Sequence, residues 1–367
     1  MNILFLANIR IPTEKAHGLQ IMKTCEALAG AGASVTLAVP TRHNRFSQDP
    51  FDYYGVERNF ALRTVSTPDW VSRGRLGFLL SLLWFSEAAH SLKEFWAADV
   101  VYSRDHLVLL QYVLLGRPFA FEAHQAPNVF SRFVARRARA VVVISEGLKR
   151  AYMGTNISAE KIAVAPDAAS ADFFEAGEDR EASKRALGLS GAVALYSGHL
   201  YARKGADTFF AAAAALPEVR FVSIGGTAGD VERVRKGTFA PNVAVLGHKP
   251  YTEVPRYLRA ADVLVIPNSA RDADSREFSS PMKLFEYMAS GTPIVASDVP
   301  AIREVLDEKS CYFVRPDDAG ALARGIEKAL TDAHSDTKAA RAREQAENYT
   351  WRVRGKRILS ALQHSLK

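Results

Sequence analysis

Short apolar runs alternate with helix-patterned segments along most of this 367-residue chain. In the first half the runs fall at 3–7, 35–39, 100–102, 119–122, 141–144 and 162–165, with a helical pattern over 18–29. In the second half they recur at 193–197, 219–224, 243–246 and 263–266. Runs that stay apolar at every position are buried on both faces, which is the mark of a parallel sheet covered by helices. A chain of this length exceeds one ordinary core and suits two domains. The expected fold class is α/β, with domains at 1–168 and 169–348 and a final helical segment at 349–367. The small, charged stretch 166–192 reads as the linker between them. Ligands of such sheets sit beyond the carboxyl ends of the strands.

The densest such place is 278–300, FSSPMKLFEYMASGTPIVASDVP, where a loop becomes a short helix and then a buried strand. Ser280 suits an N-cap and Pro281 the first helical position, and Gly291 suits the stop. Lys283 then stands in the first turn, where a cation opposes the helix dipole unless an anion lies between them. It reads as a diphosphate partner. Glu286 shares a face with Met282 and Lys283 and suits the two hydroxyls of a ribose, while Leu284, Phe285 and Met288 form the packed side. The bland alternative is that Lys283 and Glu286 simply pair on a solvated helix.

Further loops follow the same logic. GHLYARKGAD at 198–207 places Arg203 and Lys204 before a helix opened by Gly205, again a site for an anion or else two solvent-facing bases. The loop 7–18 lacks Gly-x-Gly-x-x-Gly, which argues against a dinucleotide-dependent dehydrogenase, and its His17 could merely cap the helix. EAHQAP at 122–127 puts His124 just past a strand end, with Glu122 as its partner. Asp272 and Asp274 form an Asp-x-Asp triplet of a kind that arises readily by chance. With lysines and helix ends available to neutralise a diphosphate, no metal and no cofactor are expected.

The net charge of +7 is uneven, with 19 basic against 14 acidic residues in 1–168 and 28 against 26 in the remainder. Arg132, Arg136, Arg137 and Arg139 share a helical pattern with Phe130, Phe133 and Val134, a face suited to anionic lipid or a phosphorylated acceptor, or to plain solvation. The apolar run 77–85 is too short to span a bilayer and reads as a core helix, or, with Arg73, Arg75 and Trp84, as a membrane-surface element. Nucleic acid is not an expected partner, since no binding motif accompanies the charge. Cys25 and Cys311 are isolated, and 1–8 reads as a strand instead of a signal peptide, so a reducing cytoplasm is expected.

Residues 192–205 and 279–300 resemble the donor-binding signatures of the retaining GT-B glycosyltransferases of family 4, and the resemblance extends over nearly the whole chain. That family carries two glutamates, with seven residues between them, before a Gly-Thr-Pro strand. Glu286 matches the second. The first falls at Phe278, beside Glu277, so the resemblance leaves the donor-sugar hydroxyls to Glu277 or to backbone amides around Ser279, Ser280 and Met282. The family's Gly-Arg-x-x-x-x-Lys-Gly is matched at Lys204 and Gly205, with His199 at the arginine position and Arg203 as the second cation. Glu-x-His resembles the family's N-domain histidine, which makes His124 an orienting or transition-state group. Gly18 and His17, with Gln20 just beyond, would lie against donor and acceptor. At the hinge Pro166 and Asp167 keep the pattern, while Ala168, Ala169 and Ser170 replace it.

The resemblance implies two Rossmann-like domains facing across a cleft, with the last helix crossing back onto the first. It also implies metal-independent sugar transfer, with retention, from a nucleotide-diphosphate sugar to a glycan or lipid-linked acceptor in surface polysaccharide or glycolipid synthesis. Peripheral inner-membrane contact through the first domain would accompany it. Two other readings stay open: a non-catalytic subunit binding a nucleotide sugar or a partner enzyme, and a sugar-nucleotide epimerase, which would need additional carboxylates.

Overall fold

The computed structural model describes residues 1–175, 177–237 and 239–365, and each of its strand pairings is parallel. The first sheet contains β1 (Asn2–Leu6), β2 (Ser34–Pro40), β3 (Ala61–Val65), β4 (Val100–Ser103), β5 (Phe119–Ala123), β6 (Ala140–Val143) and β7 (Ile162–Val164), in the order β3-β2-β1-β4-β5-β6-β7. The second contains β8 (Ala192–Ser197), β9 (Val219–Ile224), β10 (Val243–Gly247), β11 (Val263–Ile266), β12 (Ile294–Ser297) and β13 (Tyr312–Val314), in the order β10-β9-β8-β11-β12-β13. Contacts divide the chain into two compact units, Met1–Pro166 with the segment from Trp351 on, and Asp167–Thr350.

The apolar runs become strands because both of their faces are covered. In β1, Ile3, Leu4, Phe5 and Leu6 are each no more than 2% exposed. In the second unit, Val193, Leu195, Leu264 and Ile266 pack with Leu284, Phe285 and Met288 of the helix Met282–Ser290. Their neighbours Ala194, Tyr196, Val263 and Val265 point to the opposite side, against Phe209, Phe210, Leu322 and Ile326. Each large apolar side chain buried in this way contributes roughly 1.5–3 kcal/mol.

Four expectations change. β3 has two exposed side chains, Arg63 and Thr64, at a sheet edge, and β13 is three residues long, so neither forms an apolar run. The stretch 166–192 is not a plain linker. It holds the helix Arg180–Ala186, capped by Asp179, whose Lys184 is 5% exposed and paired with Asp262 at 2.9 Å. The run 77–85 is not a core helix either. In the helix Gly74–Ala88 only Gly77, Ser81, Leu82, Phe85 and Ser86 are buried, and Phe78, Leu79, Leu80, Leu83 and Trp84 are 38–53% exposed. Lastly, the helix at 282 starts one residue late. Pro281 is its N-cap and makes no side-chain cap, because Ser280 Oγ instead accepts from the backbone N–H of Asp167 at 3.1 Å.

The final helix, Trp351–Ser365, packs on the first helix, Ala16–Gly30, within the first unit. Gly355 marks the closest approach, since a Cβ there would lie 2.4 Å from the carbonyl oxygen of Ala27. Residues 366 and 367 of the expected final segment lie outside the described residues.

Candidate active site

Two polar clusters sit at carboxyl ends of strands, one in each unit. In the second unit the sheet order reverses between β8 and β11, the switch point at which such sheets bind ligands. Beyond β8 the chain turns through Gly198, whose φ of 129° and short distance to Lys283 leave no room for a side chain, as a Cβ would lie 3.1 Å from Lys283 Nζ. Lys283 is 8% exposed, its Nζ lies 3.8 Å from the ring centroid of Tyr196, and it has no hydrogen-bond partner among the described residues. It does not pair with Glu286, so the bland reading of these two residues falls. A buried, unpartnered ammonium is costly, and the cost is relieved by an anion.

The electrostatics agree. Burial, then the nearby Lys204, drives Lys283 well below the usual lysine range. Burial, then Arg203, lowers Lys204 to about 8. Glu286 is 5% exposed and hydrogen-bonded to Tyr251, and burial raises it to about 7 against the pull of Tyr251 and Lys283. Each charged form here lacks the solvent or counter-ion that would stabilise it. A bound group with negative oxygens near the lysines and hydroxyls near the carboxylate would supply both.

The remaining expected residues of this unit are placed as follows. Arg203 is exposed, and its carbonyl accepts from Ser275 Oγ at 2.9 Å. His199 stacks on Tyr201 at 4.9 Å and accepts the Tyr196 hydroxyl on its carbonyl at 2.6 Å. Glu277 lies in a π-helical turn, Asp274–Phe278, paired with Arg276 at 2.8 Å, and Phe278 ends that turn half-buried. Ser279 Oγ donates to the carbonyl of Ser275 at 2.9 Å. Met282 opens the helix that carries Lys283. Tyr196 and Tyr251 were not signalled by the sequence, since buried tyrosines in apolar segments look like core.

In the first unit the order reverses between β1 and β4. His124 follows β5, and its Nε2 lies 2.6 Å from Oε1 of the fully buried Glu122. The same oxygen accepts from Gln20 Nε2 at 2.8 Å and Arg354 Nη2 at 2.6 Å, while Oε2 accepts from the Tyr102 hydroxyl at 2.5 Å. Gln20 Oε1 in turn accepts from Arg104 Nη1 at 2.7 Å. Burial opposes ionisation of Glu122, yet Arg354 and then His124 hold its carboxyl well below the usual range. Burial, then Arg104, lowers His124 to about 4. His124 is therefore a neutral imidazole at physiological pH. Its partner is an ionised carboxylate that can only accept, so Nε2 carries the proton and Nδ1 keeps its lone pair. Gln20, expected to line a ligand surface, is 2% exposed and belongs to this network. His17 is half-buried in the first turn of its helix, and Gly18 packs where a Cβ would lie 2.2 Å from the Tyr54 hydroxyl.

Comparison with known proteins adds the class. Residues 191–332, which hold the whole lysine cluster, match the family model of the glycosyl transferases group 1. That stretch of the chain is similar to the group 1 glycosyl transferases. A 130-residue stretch is 34% identical to the amylovoran biosynthesis glycosyltransferase AmsK of Erwinia amylovora, covering 32% of this chain and 31% of that protein. The chain spans between 31% and 48% of the length of the curated relatives it matches. Sucrose-phosphate synthase from Thermosynechococcus elongatus matches over 99% of this chain and 98% of its own, with a TM-score of 0.80 at 19% identity. HepE from Anabaena, solved in complex with UDP, matches over 99% and 100% with a TM-score of 0.75 at 18% identity. The fold is thus GT-B, with two Rossmann-like units each built on a parallel sheet and the last helix belonging to the first unit. Among the described residues no group of three or more His, Cys, Asp or Glu side chains is placed to hold a metal ion, and no helix is long and apolar enough to cross a membrane.

Proposed function

We propose that this chain is a retaining glycosyltransferase that moves a sugar from a nucleotide-diphosphate sugar to an acceptor hydroxyl. The observation that carries the reading is Lys283, a buried ammonium without a partner beside a second lowered lysine, Lys204. A diphosphate is the group that satisfies both, and it is also the leaving group, on which negative charge grows as the bond to the sugar breaks. Glu286 then takes the ribose hydroxyls. The acceptor oxygen attacks the face the diphosphate leaves and passes its proton to the departing phosphate oxygen, so no separate base is required. His124, neutral and with its tautomer set by Glu122, orients the donor sugar. The UDP and UDP-glucose complexes of HepE support a nucleotide-sugar donor, and the amylovoran biosynthesis named for AmsK is in keeping with a glycan or lipid-linked acceptor. The expected setting is the cytoplasm, with contact to anionic lipid through the exposed helix Gly74–Ala88 and the basic helix Val129–Arg137.

A second reading has its own observation. Phe278 stands where the family has a carboxylate, and Glu277 is tied to Arg276, which suits a subunit that binds the donor without turning it over. One experiment orders these. In a thermal-shift panel of UDP, GDP, ADP and their sugars, with and without EDTA, one nucleotide should raise the melting point of the wild type regardless of EDTA. Glu286→Ala should weaken that shift. Binding without transfer or donor hydrolysis favours the subunit, and no shift with any nucleotide sinks the lysine assignment.

A further inference from the structure

Arg354 is a buried arginine on the apolar stripe of the final helix, 1% exposed in its side chain, and far in sequence from the residues it serves. Its Nη2 meets Glu122 Oε1 at 2.6 Å, and its Nη1 donates to the carbonyls of Ala165 and of Pro166, the latter at 3.0 Å. Those carbonyls are the last of the first unit before the chain leaves it at Asp167. One guanidinium thus spans the final helix, the exit of β7 and the carboxylate behind His124. We infer that Arg354 is a positioning residue for His124, acting through Glu122. Its charge keeps Glu122 an acceptor-only carboxylate, and the planar fork fixes which oxygen faces the imidazole. A protonated Glu122 could donate instead, and a displaced one would no longer hold Nε2–H; in either case the imidazole would be free to exchange tautomers.

The surroundings leave this task to Arg354. Glu122 is faced by Tyr102 from β4, by Gln20 and Cys25 from the first helix, by Arg104 after β4 and by His124 itself. Of the two arginines, Arg104 spends a hydrogen bond on Gln20, whereas Arg354 bonds the carboxylate directly. The inference rests on the reading of His124 as the donor-orienting group, so its test has an arm that does not depend on turnover.

In the full chain, long-range 15N–1H correlation of His124 should show a single neutral tautomer protonated at Nε2. Arg354→Lys keeps the charge but loses the fork, and the spectrum should then show both tautomers. With the donor found in the nucleotide panel, kcat should fall about ten- to a hundredfold at nearly unchanged KM. Arg354→Met combined with Glu122→Gln removes both charges of the pair together and should fold with mixed tautomers. A His124 spectrum in Arg354→Lys identical to wild type overturns the inference, as does loss of fold in both variants, which would give Arg354 to stability alone. Absence of turnover in the wild type would instead fault the proposed function and leave the spectroscopic result to decide Arg354.

Discussion

Lys283 trades stability for binding. As a buried, unpartnered amine whose charging is opposed by burial, it destabilises the empty protein, so Lys283→Met should raise the melting temperature by an amount worth roughly 1–2 kcal/mol while nucleotide-diphosphate affinity falls by about 2 kcal/mol or more. Calorimetric melting and titration of the same variant check both, and a variant that is less stable when empty would mean that Lys283 has a partner in solution. Proton linkage tests the neighbouring lysine. Lys204 gives up its proton at about 8 in the empty site, and a diphosphate beside it raises that value, so binding above this pH takes up a proton. Affinity should therefore weaken as pH rises beyond about 8, and titration at pH 8.5 in two buffers of different ionisation heat should report net proton uptake. Proton release there would contradict the arrangement.

Among the elements, the helix Gly74–Ala88 exposes an apolar outer face. Leu79 and Leu83 lie on it, 44% and 53% exposed, with Arg75 at its start, and Phe130 and Phe133 sit among arginines on Val129–Arg137. Apolar side chains rimmed by cations suit the boundary of an anionic bilayer. The full chain should float with vesicles containing phosphatidylglycerol and much less with phosphatidylcholine alone, and added salt should weaken the difference. Leu79→Gln with Leu83→Gln should cut that binding by about tenfold or more while leaving the nucleotide-induced thermal shift intact. Equal binding by the variant would assign the face to something other than lipid.

At the scale of the molecule, both sheets were legible because their strands are apolar at successive positions, as at 3–7 and 263–266, and the lysine cluster because Lys283 breaks the charge rule of a helix start. β3 was not, since Arg63 and Thr64 are exposed at an edge. The network on Glu122 was legible only at His124, two residues away. Arg354 lies 232 residues from its partner, and pairing at that distance leaves no local pattern, although a charge among Trp351, Ile358 and Leu362 on one stripe was a signal. That long return also sets an order of manufacture. The ribosome makes all of 167–350 before it reaches the residues that pack on the first helix. Until Gly355 and Ile358 emerge, the groove beside Ala27 is open and Glu122 has one cation fewer. The first unit to begin is the last to be finished: a nascent chain halted at residue 350 has every strand of its second sheet made, while its first unit still waits for the helix that completes it.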